Sequence, residues 1–223
     1  MKAKLLFEAL AKFTVGALLI AALLFVSAGT LDFWNAWLFM GLLFVPMFIA
    51  GIVLIIKNPE LLRKRLDAKE KEGEQKTVLL LGGLMFSAGF VVAGLDFRFK
   101  WLVLPKWLVI AAGVIFLLSY ALYAEVLREN AYLSRTVKVQ ENQKVIDTGL
   151  YGVVRHPMYA ATVLLFLSMP ILLGSLFAFA IFLVYPFLIA KRIKNEEKVL
   201  EDGLEGYTEY KKRVRYKVIP FIW

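Results

Sequence analysis

The chain of 223 residues has no cysteine and a single histidine, His156. Without cysteine it can form no disulfide, no thiolate metal site and no cysteine nucleophile. One imidazole also argues against a histidine-based metal site, so we predict no bound metal. Charge is scarce as well, because charged residues make up 20% of the chain and long uncharged runs separate them.

Hydrophobic residues make up 60% of the chain, which is more than a soluble domain of this length can bury. A bilayer accepts such side chains, because ~20 apolar residues in a helix span its hydrocarbon core. We therefore predict an all-α, polytopic integral membrane protein with one domain over residues 1–223. Four spans occupy residues 1–127, and residues 128–223 form a catalytic half. The apolar runs are 13–29, 33–56, 77–95, 107–127 and 157–190, and Glu125 is the one charged residue within them, at the aqueous end of the fourth.

The last run, residues 157–190, is too long for one crossing. Its 34 residues would form a straight helix of about 51 Å, whereas the hydrocarbon core is ~30 Å thick. Pro170 and Gly174 lie near its middle, where a helix break is expected. We therefore predict a helical hairpin, which brings the number of crossings to about six.

Positive charge predicts the orientation of these crossings. Of the 27 Lys and Arg residues, 24 lie at the termini or in the two large polar loops, and 3 lie on the other side. Lys and Arg concentrate on the cytoplasmic side of membrane proteins. Both termini are therefore predicted to be cytoplasmic. The net charge of +9 then reflects topology, and we expect no nucleic-acid partner.

Two polar clusters flank the predicted hairpin, and the hairpin would bring them to the same membrane face. The first is Arg155-His156-Pro157-x-Tyr159, preceded by the turn Gly149-x-Tyr151, and the second is Arg192-x-x-x-Glu196-Glu197. With these segments and the tail Tyr207-x-x-Tyr210, the chain resembles the isoprenylcysteine carboxyl methyltransferase family. These are integral membrane enzymes that use S-adenosylmethionine and are related to phospholipid N-methyltransferases. Upstream segments near Asn58 and Gly94 look like the bacterial-type members.

The resemblance implies roles for most of the candidate residues. The segments that match cofactor-binding positions contain Gln143, Lys144, Val145, Ile146, Tyr151, His156, Pro157, Met158 and Tyr159. Arg192 and Glu196 match positions linked to catalysis or to the substrate. The chain departs from many relatives at Gln143, where they carry a histidine. Glutamine can still donate or accept a hydrogen bond there.

The chemistry of the methyl donor adds Arg155 and Glu197 to the cofactor site. S-adenosylmethionine carries a sulfonium, an ammonium and a carboxylate, which require carboxylates, aromatic faces and hydrogen-bond donors. Glu196 shares a helix face with Arg192, which indicates that it faces the methyl acceptor. Adjacent residues on a helix point about 100° apart, so Glu197 would face the donor. The alternative is that Arg192 and Glu196, four residues apart, form a surface salt bridge.

The remaining polar residues receive plainer interpretations. Glu125 and Glu129, at the end of the fourth span, are predicted to be solvated. Tyr207 and Tyr210 are interpreted as interfacial anchors, and the basic residues of 211–217 as charge facing phospholipid. Residues 130–139 lack helical periodicity and are predicted to be extended.

Together these features predict a methyltransferase acting on a lipophilic or prenylated acceptor at the cytoplasmic membrane face, with a carboxylate of isoprenylcysteine type as the first choice. Phospholipid N-methylation and thiol S-methylation remain open alternatives. A membrane sterol-type reductase using NADPH is a further alternative, because such enzymes carry a similar Arg-His/Tyr-Pro-x-Tyr segment. A non-enzymatic scaffold would leave the polar clusters unexplained. Membrane lipids are the other expected partners.

Overall fold

The structure, a computed structural model, describes residues 2–66, 73–133 and 139–223. Over these ranges its regular secondary structure is helical, as predicted. The helices are α1 (Lys2–Ala28), α2 (Trp34–Lys57), α3 (Pro59–Leu66), α4 (Gly73–Phe99), α5 (Lys106–Glu129), α6 (Pro157–Leu172), α7 (Leu176–Phe182), α8 (Tyr185–Gly203) and α9 (Tyr207–Arg213), with a 3₁₀ turn at Gly149–Gly152.

Five helical segments are long and apolar enough to cross a membrane, which confirms a polytopic membrane protein. They are Lys4–Ala28, Trp34–Lys57, Lys76–Phe99, Lys106–Glu129 and Leu176–Gly203. A sixth apolar helix, Pro157–Leu172, is shorter. Large apolar side chains on the outer helices are exposed, among them Phe7 at 76% and Val26 at 76%. Such surfaces suit a lipid environment.

The predicted hairpin is present, and its break lies at Gly174. Gly174 has a positive φ of 82°, a conformation that favours glycine. Ser175 then caps α7, since its hydroxyl accepts a hydrogen bond from the Ala178 amide at 3.1 Å. From α2, the Asn35 side chain donates to the Leu172 carbonyl at 3.1 Å. Pro170 lies inside α6 and does not end the helix.

Differences from the sequence prediction affect the second leg of the hairpin and the end of the third span. The second leg of the hairpin is interrupted again after α7, and α8 begins at Tyr185 with Pro186 in its first turn, a position that proline favours. The third span continues to Phe99 instead of ending at residue 95. Asp96 therefore lies within α4, where its carboxylate accepts a hydrogen bond from the Leu102 amide at 3.1 Å.

A phenylalanine-rich core joins the hairpin to the four N-terminal spans. Phe182 on α7 packs edge-on against Phe86 of α4, with ring centroids 5.3 Å apart. Gly89 allows this approach, because a Cβ there would lie 2.3 Å from the Phe182 ring. Aromatic pairs of this kind contribute ~0.5–1.5 kcal/mol beyond area burial. The close contact fixes the second leg of the hairpin against α4.

The polar loop before α6 and the C-terminal tail meet at the same end of the bundle, as predicted. The Arg155 and His156 amides donate to the carbonyls of Tyr216 and Lys217 at 2.9 and 2.8 Å.

At the opposite end of the bundle, Trp101 contacts Phe177 with ring centroids 5.5 Å apart. Of the segment predicted to be extended, residues 134–138 lie outside the described residues, and residues 131–132 form a turn.

Candidate active site

A cavity of about 840 Å³, including the space at its mouth, opens at the end of the bundle where the loop and tail meet. It lies between the loop before α6, the first turn of α6, the middle of α8 and the start of α9. Its walls combine polar, aromatic and apolar side chains. They are Asn130, Tyr132, Leu133, Gln143, Lys144, Val145, Ile146, Tyr151, Arg155, His156, Met158, Tyr159, Arg192, Glu196, Leu200, Leu204, Tyr207 and Tyr210.

The 3₁₀ turn at Gly149–Gly152 carries one wall of the cavity. Gly149 has a φ of 54°, and the following amide, that of Leu150, donates to both carboxylate oxygens of Glu129 at 3.1 and 3.0 Å. Glu129 therefore holds the loop, and its side chain, predicted to be solvated, is half-buried. Tyr151 is fixed at both ends: its hydroxyl accepts from Asn130 at 2.9 Å, and its carbonyl accepts from the Tyr210 hydroxyl at 2.8 Å.

Gln143 contributes to the geometry of its own loop. Its side-chain oxygen accepts a hydrogen bond from the Gln140 amide at 2.9 Å. This bond closes the turn that leads into residues 143–146, all four of which line the cavity. A glutamine at this position therefore has a structural partner within the loop.

Three side chains form a hydrogen-bonded chain across the hairpin. Arg192 on α8 donates through Nε to the Tyr159 hydroxyl at 2.9 Å. That hydroxyl donates in turn to the Glu196 carboxylate at 2.5 Å. Arg192 and Tyr159 are buried, at 8% and 3% exposed. The chain thus links the two legs of the hairpin and places a cation and a carboxylate on the same wall of the cavity.

Glu197 lies behind the cavity wall, at 4% exposed. Its Oε1 accepts from Arg155 Nε at 2.7 Å and lies 3.2 Å from His156 Nε2. Its Oε2 lies 3.1 Å from the Lys217 ammonium. Buried carboxylates require such charged partners. Lys217 was interpreted as facing phospholipid, and the structure instead directs it into the protein.

Arg155 forms hydrogen bonds both to Glu197 and to the backbone of the C-terminal tail. Besides Glu197, it donates through Nη1 to the carbonyls of Val214 and Arg215 at 2.7 and 2.9 Å. Its guanidinium is therefore neutralised by a carboxylate, and its Nη1 group is bonded to backbone carbonyls. Arg213, another tail residue interpreted as facing phospholipid, pairs with Asp147 at 2.7 Å.

Tyr207 and Tyr210 do not act as interfacial anchors, and that prediction is wrong. Both are buried, at 4% and 2% exposed, and both line the cavity. Burial raises the pKa of the Tyr207 hydroxyl, and Glu197 and Glu196 raise it further. Burial likewise raises the pKa of Tyr210. Both side chains therefore stay protonated in the neutral range.

The Tyr207 hydroxyl differs from that of Tyr210 in one respect. Among the described residues, it is buried and has no hydrogen-bond partner. A buried hydroxyl normally has a partner, so this one is available to hydrogen-bond a molecule bound in the cavity.

The structure brings most of the predicted site residues to one cavity. Of the predicted set, Pro157 and Glu197 do not line it: Pro157 begins α6, and Glu197 lies behind Arg155 and His156. The predicted site omitted several residues that do line it, namely Asn130, Tyr132, Leu133, Leu200, Leu204, Tyr207 and Tyr210. For the two tail tyrosines, the sequence signal was their spacing of three, which places both on one face of a helix.

The fold and the cavity define a polytopic membrane protein with a polar site at one end of its helix bundle. Residues 108–202 match the model of the isoprenylcysteine carboxyl methyltransferase (ICMT) family, so this segment of the chain is similar to that family. The matched segment contains α6, α7 and nearly all of α8.

A second similarity is to a protein named for a different activity. The Delta(14)-sterol reductase TM7SF2 of Mus musculus is 29% identical over 91 residues, which make up 40% of this chain and 22% of the reductase. The aligned part is therefore about a fifth of that relative's length.

Proposed function

We propose that the protein transfers a methyl group from S-adenosylmethionine to a lipophilic acceptor at the cytoplasmic face of the membrane. The observation that carries the proposal is the convergence of the two motif clusters on one cavity. His156 and Tyr159 reach it from α6, while Arg192 and Glu196 reach it from α8. Most of the cavity wall lies within residues 108–202, the segment that matches the family model, and Leu204, Tyr207 and Tyr210 complete it.

The residues on the cavity walls fit the chemistry of the donor. A sulfonium and an ammonium favour a carboxylate and aromatic faces, and Glu196, Tyr132 and Tyr151 supply these. The apolar side chains of Val145 and Leu204 offer a surface for an adenine ring. Within this site, S-adenosylmethionine would supply an electrophilic methyl group. The protein's own task is then to hold donor and acceptor in line.

Arg192 and Glu196 are proposed to position the acceptor. A carboxylate acceptor is already ionised at neutral pH, so its methylation needs alignment and no general base. A guanidinium can hold a carboxylate by two parallel hydrogen bonds. An acceptor of the isoprenylcysteine type combines such a carboxylate with a lipophilic tail, which the surrounding bilayer would accommodate. Phospholipid amines and small thiols are the alternative acceptors.

A reductase using NADPH is the second candidate, supported by the similarity to the sterol reductase. A dinucleotide polyanion requires several available cations. Here Arg155 is neutralised by Glu197, and Glu196 adds negative charge to the cavity wall. These charges favour a small cationic donor over a polyanion.

Two binding titrations and one transfer assay distinguish the candidates. Purified protein in detergent is titrated with S-adenosylmethionine and, separately, with NADPH by calorimetry. Membranes containing the protein are then incubated with donor carrying a tritiated methyl group, and the lipid extract is analysed for labelled product. Saturable binding of NADPH without binding of S-adenosylmethionine would favour the reductase. Base-labile label in the lipid fraction would identify a methyl ester.

A further inference from the structure

The two carboxylate oxygens of Glu197 contact different parts of the protein, the motif before α6 and the C-terminal tail. Oε1 contacts the motif residues Arg155 and His156, at 2.7 and 3.2 Å. Oε2 contacts the tail lysines Lys217 and Lys211, at 3.1 and 3.9 Å. Because Glu197 does not line the cavity, it can influence a bound molecule only through these neighbours.

We propose that Glu197 is a positioning residue, which holds His156 in the Nε2–H tautomer and leaves Nδ1 as a hydrogen-bond acceptor on the cavity side. An ionised carboxylate can only accept hydrogen bonds. A neutral imidazole that faces it through Nε2 must therefore carry its proton on that nitrogen. The other nitrogen, Nδ1, lies 4.0 Å from Oε1 of Glu196, which is too far for a hydrogen bond, and Glu196 lines the cavity.

A hydrogen-bond acceptor at this point suits S-adenosylmethionine, the methyl donor of the proposed methyltransferase. The functional meaning of the inference rests on that proposed function. The ammonium and the ribose hydroxyls of S-adenosylmethionine all donate hydrogen bonds. An imidazole with an unprotonated Nδ1 can accept a hydrogen bond from one of these groups. The opposite tautomer would place an N–H donor against them, and no hydrogen bond to the ammonium could form. Partners behind a ligating histidine commonly fix its tautomer and orientation in this way.

The tail completes the arrangement from behind. Residues 216 and 217 pair with Arg155 and His156 through two backbone hydrogen bonds of 2.9 and 2.8 Å. The Lys217 ammonium then reaches Glu197 Oε2. The backbone of His156 is thus held by the tail and its ring by Glu197, so the tail and α8 together set the direction of the imidazole.

The tautomer can be measured directly, because His156 is the only histidine in the chain. Protein labelled with ¹⁵N-histidine and reconstituted in bilayers gives one pair of imidazole nitrogen signals. At mildly alkaline pH, where a free imidazole is neutral, we expect a protonated Nε2 and an unprotonated Nδ1 without any donor present. This measurement stands whether or not the protein proves to be a methyltransferase.

Glu197→Gln should convert this spectrum to a mixture of tautomers, because an amide can face the ring with either its oxygen or its nitrogen. The matched control is Glu201→Gln, one turn further along α8, where Glu201 pairs with Lys211 at the surface. The control should keep the wild-type spectrum. A proton on Nδ1 alone, protons on both nitrogens, or a wild-type spectrum in Glu197→Gln would each overturn the proposal.

The same pair of variants tests the consequence for binding. Apparent affinity for S-adenosylmethionine should fall about 10-fold or more in Glu197→Gln and should be unchanged in Glu201→Gln. A shifted tautomer with unchanged affinity would overturn the positioning role. If wild-type protein does not bind S-adenosylmethionine, the proposed function fails, and the tautomer result is judged on the spectra alone.

Discussion

Nε of Arg192 donates a hydrogen bond to the Tyr159 hydroxyl at 2.9 Å, across the two legs of the hairpin. Since that hydroxyl also donates to Glu196, the tyrosine mediates between a cation and a carboxylate that are four residues apart on α8. The sequence offered two interpretations of Arg192 and Glu196, a surface salt bridge or a site. Burial of Arg192 at 8% exposed and its place on the cavity wall favour the site.

Replacement of the mediating hydroxyl should lower turnover. We expect Tyr159→Phe to reduce methyl transfer about 10-fold or more, because both Arg192 and Glu196 lose a hydrogen-bonding partner. The matched control is Tyr185→Phe, which removes the hydroxyl of another buried tyrosine of the hairpin, outside the cavity. Initial rates at saturating donor measure the effect. Equal rates in the two variants would contradict a special role for Tyr159.

Arg192→Lys should separate donor binding from turnover. Lysine keeps the charge but loses the planar fork that holds a carboxylate through two hydrogen bonds. We therefore expect near-normal affinity for S-adenosylmethionine and a turnover reduced about 10-fold. Calorimetry measures the first and a methyl-transfer assay the second. A loss of donor affinity with normal turnover would move Arg192 to the donor side of the cavity.

The sequence predicted the convergence of the two polar clusters but not the direction of each side chain. Residues 157–190 carry no charge, are too long for one crossing and contain Pro170 and Gly174, and these features predicted a hairpin and hence a shared site. The directions of Glu196 and Glu197 also depend on the tail. Lys217 neutralises Glu197 from a position 20 residues further along the chain, and helical periodicity alone does not report such a contact.

The tail tyrosines were misread for a similar reason. Tyrosine is common at membrane interfaces, and Tyr207 and Tyr210 fit that pattern by composition. Their burial depends on the docking of α9 against the loop, for example through the bond from Tyr210 to the Tyr151 carbonyl. That docking is a tertiary contact across 59 residues.

Gly149→Ala should disturb the loop that carries Tyr151. An alanine at φ 54° costs roughly 1–2 kcal/mol, and its Cβ would lie 1.8 Å from Glu129 Oε1. Glu129 would have to leave the Leu150 amide. We expect a lower melting temperature and weaker donor binding. Gly82→Ala is the control, since a Cβ there meets no atom within 4 Å, and replacing a mid-helix glycine by alanine is stabilising. Equal melting temperatures in the two variants would contradict this account.

The absence of cysteine makes the membrane orientation testable. Single cysteines at Glu141 and Asp202 should be labelled by an impermeant thiol reagent only after the cells are opened. A cysteine at Asp32, in the short connection between α1 and α2, should be labelled in intact cells. All three positions are exposed. Labelling of Asp202→Cys in intact cells would reverse the orientation that the positive charge predicts.

Tyr207→Phe provides the sharpest test of the donor site. The Tyr207 hydroxyl is buried without a partner among the described residues, so its removal costs no hydrogen bond within the protein and should leave stability unchanged or slightly raised. If the hydroxyl instead donates to bound S-adenosylmethionine, affinity should fall about 5- to 10-fold, the equivalent of a hydrogen bond worth ~1–1.4 kcal/mol.

Tyr210→Phe is the matched control for that test, and it should behave in the opposite way. It removes a hydroxyl that donates to the Tyr151 carbonyl at 2.8 Å. The lost bond should lower the melting temperature, with any change in affinity following from the loosened loop. Thermal unfolding gives the melting temperature of each variant, and calorimetry gives its affinity for S-adenosylmethionine. A melting temperature lowered in Tyr207→Phe with unchanged donor affinity would mean that its hydroxyl serves packing, and the donor would then have to be held by the remaining walls of the cavity.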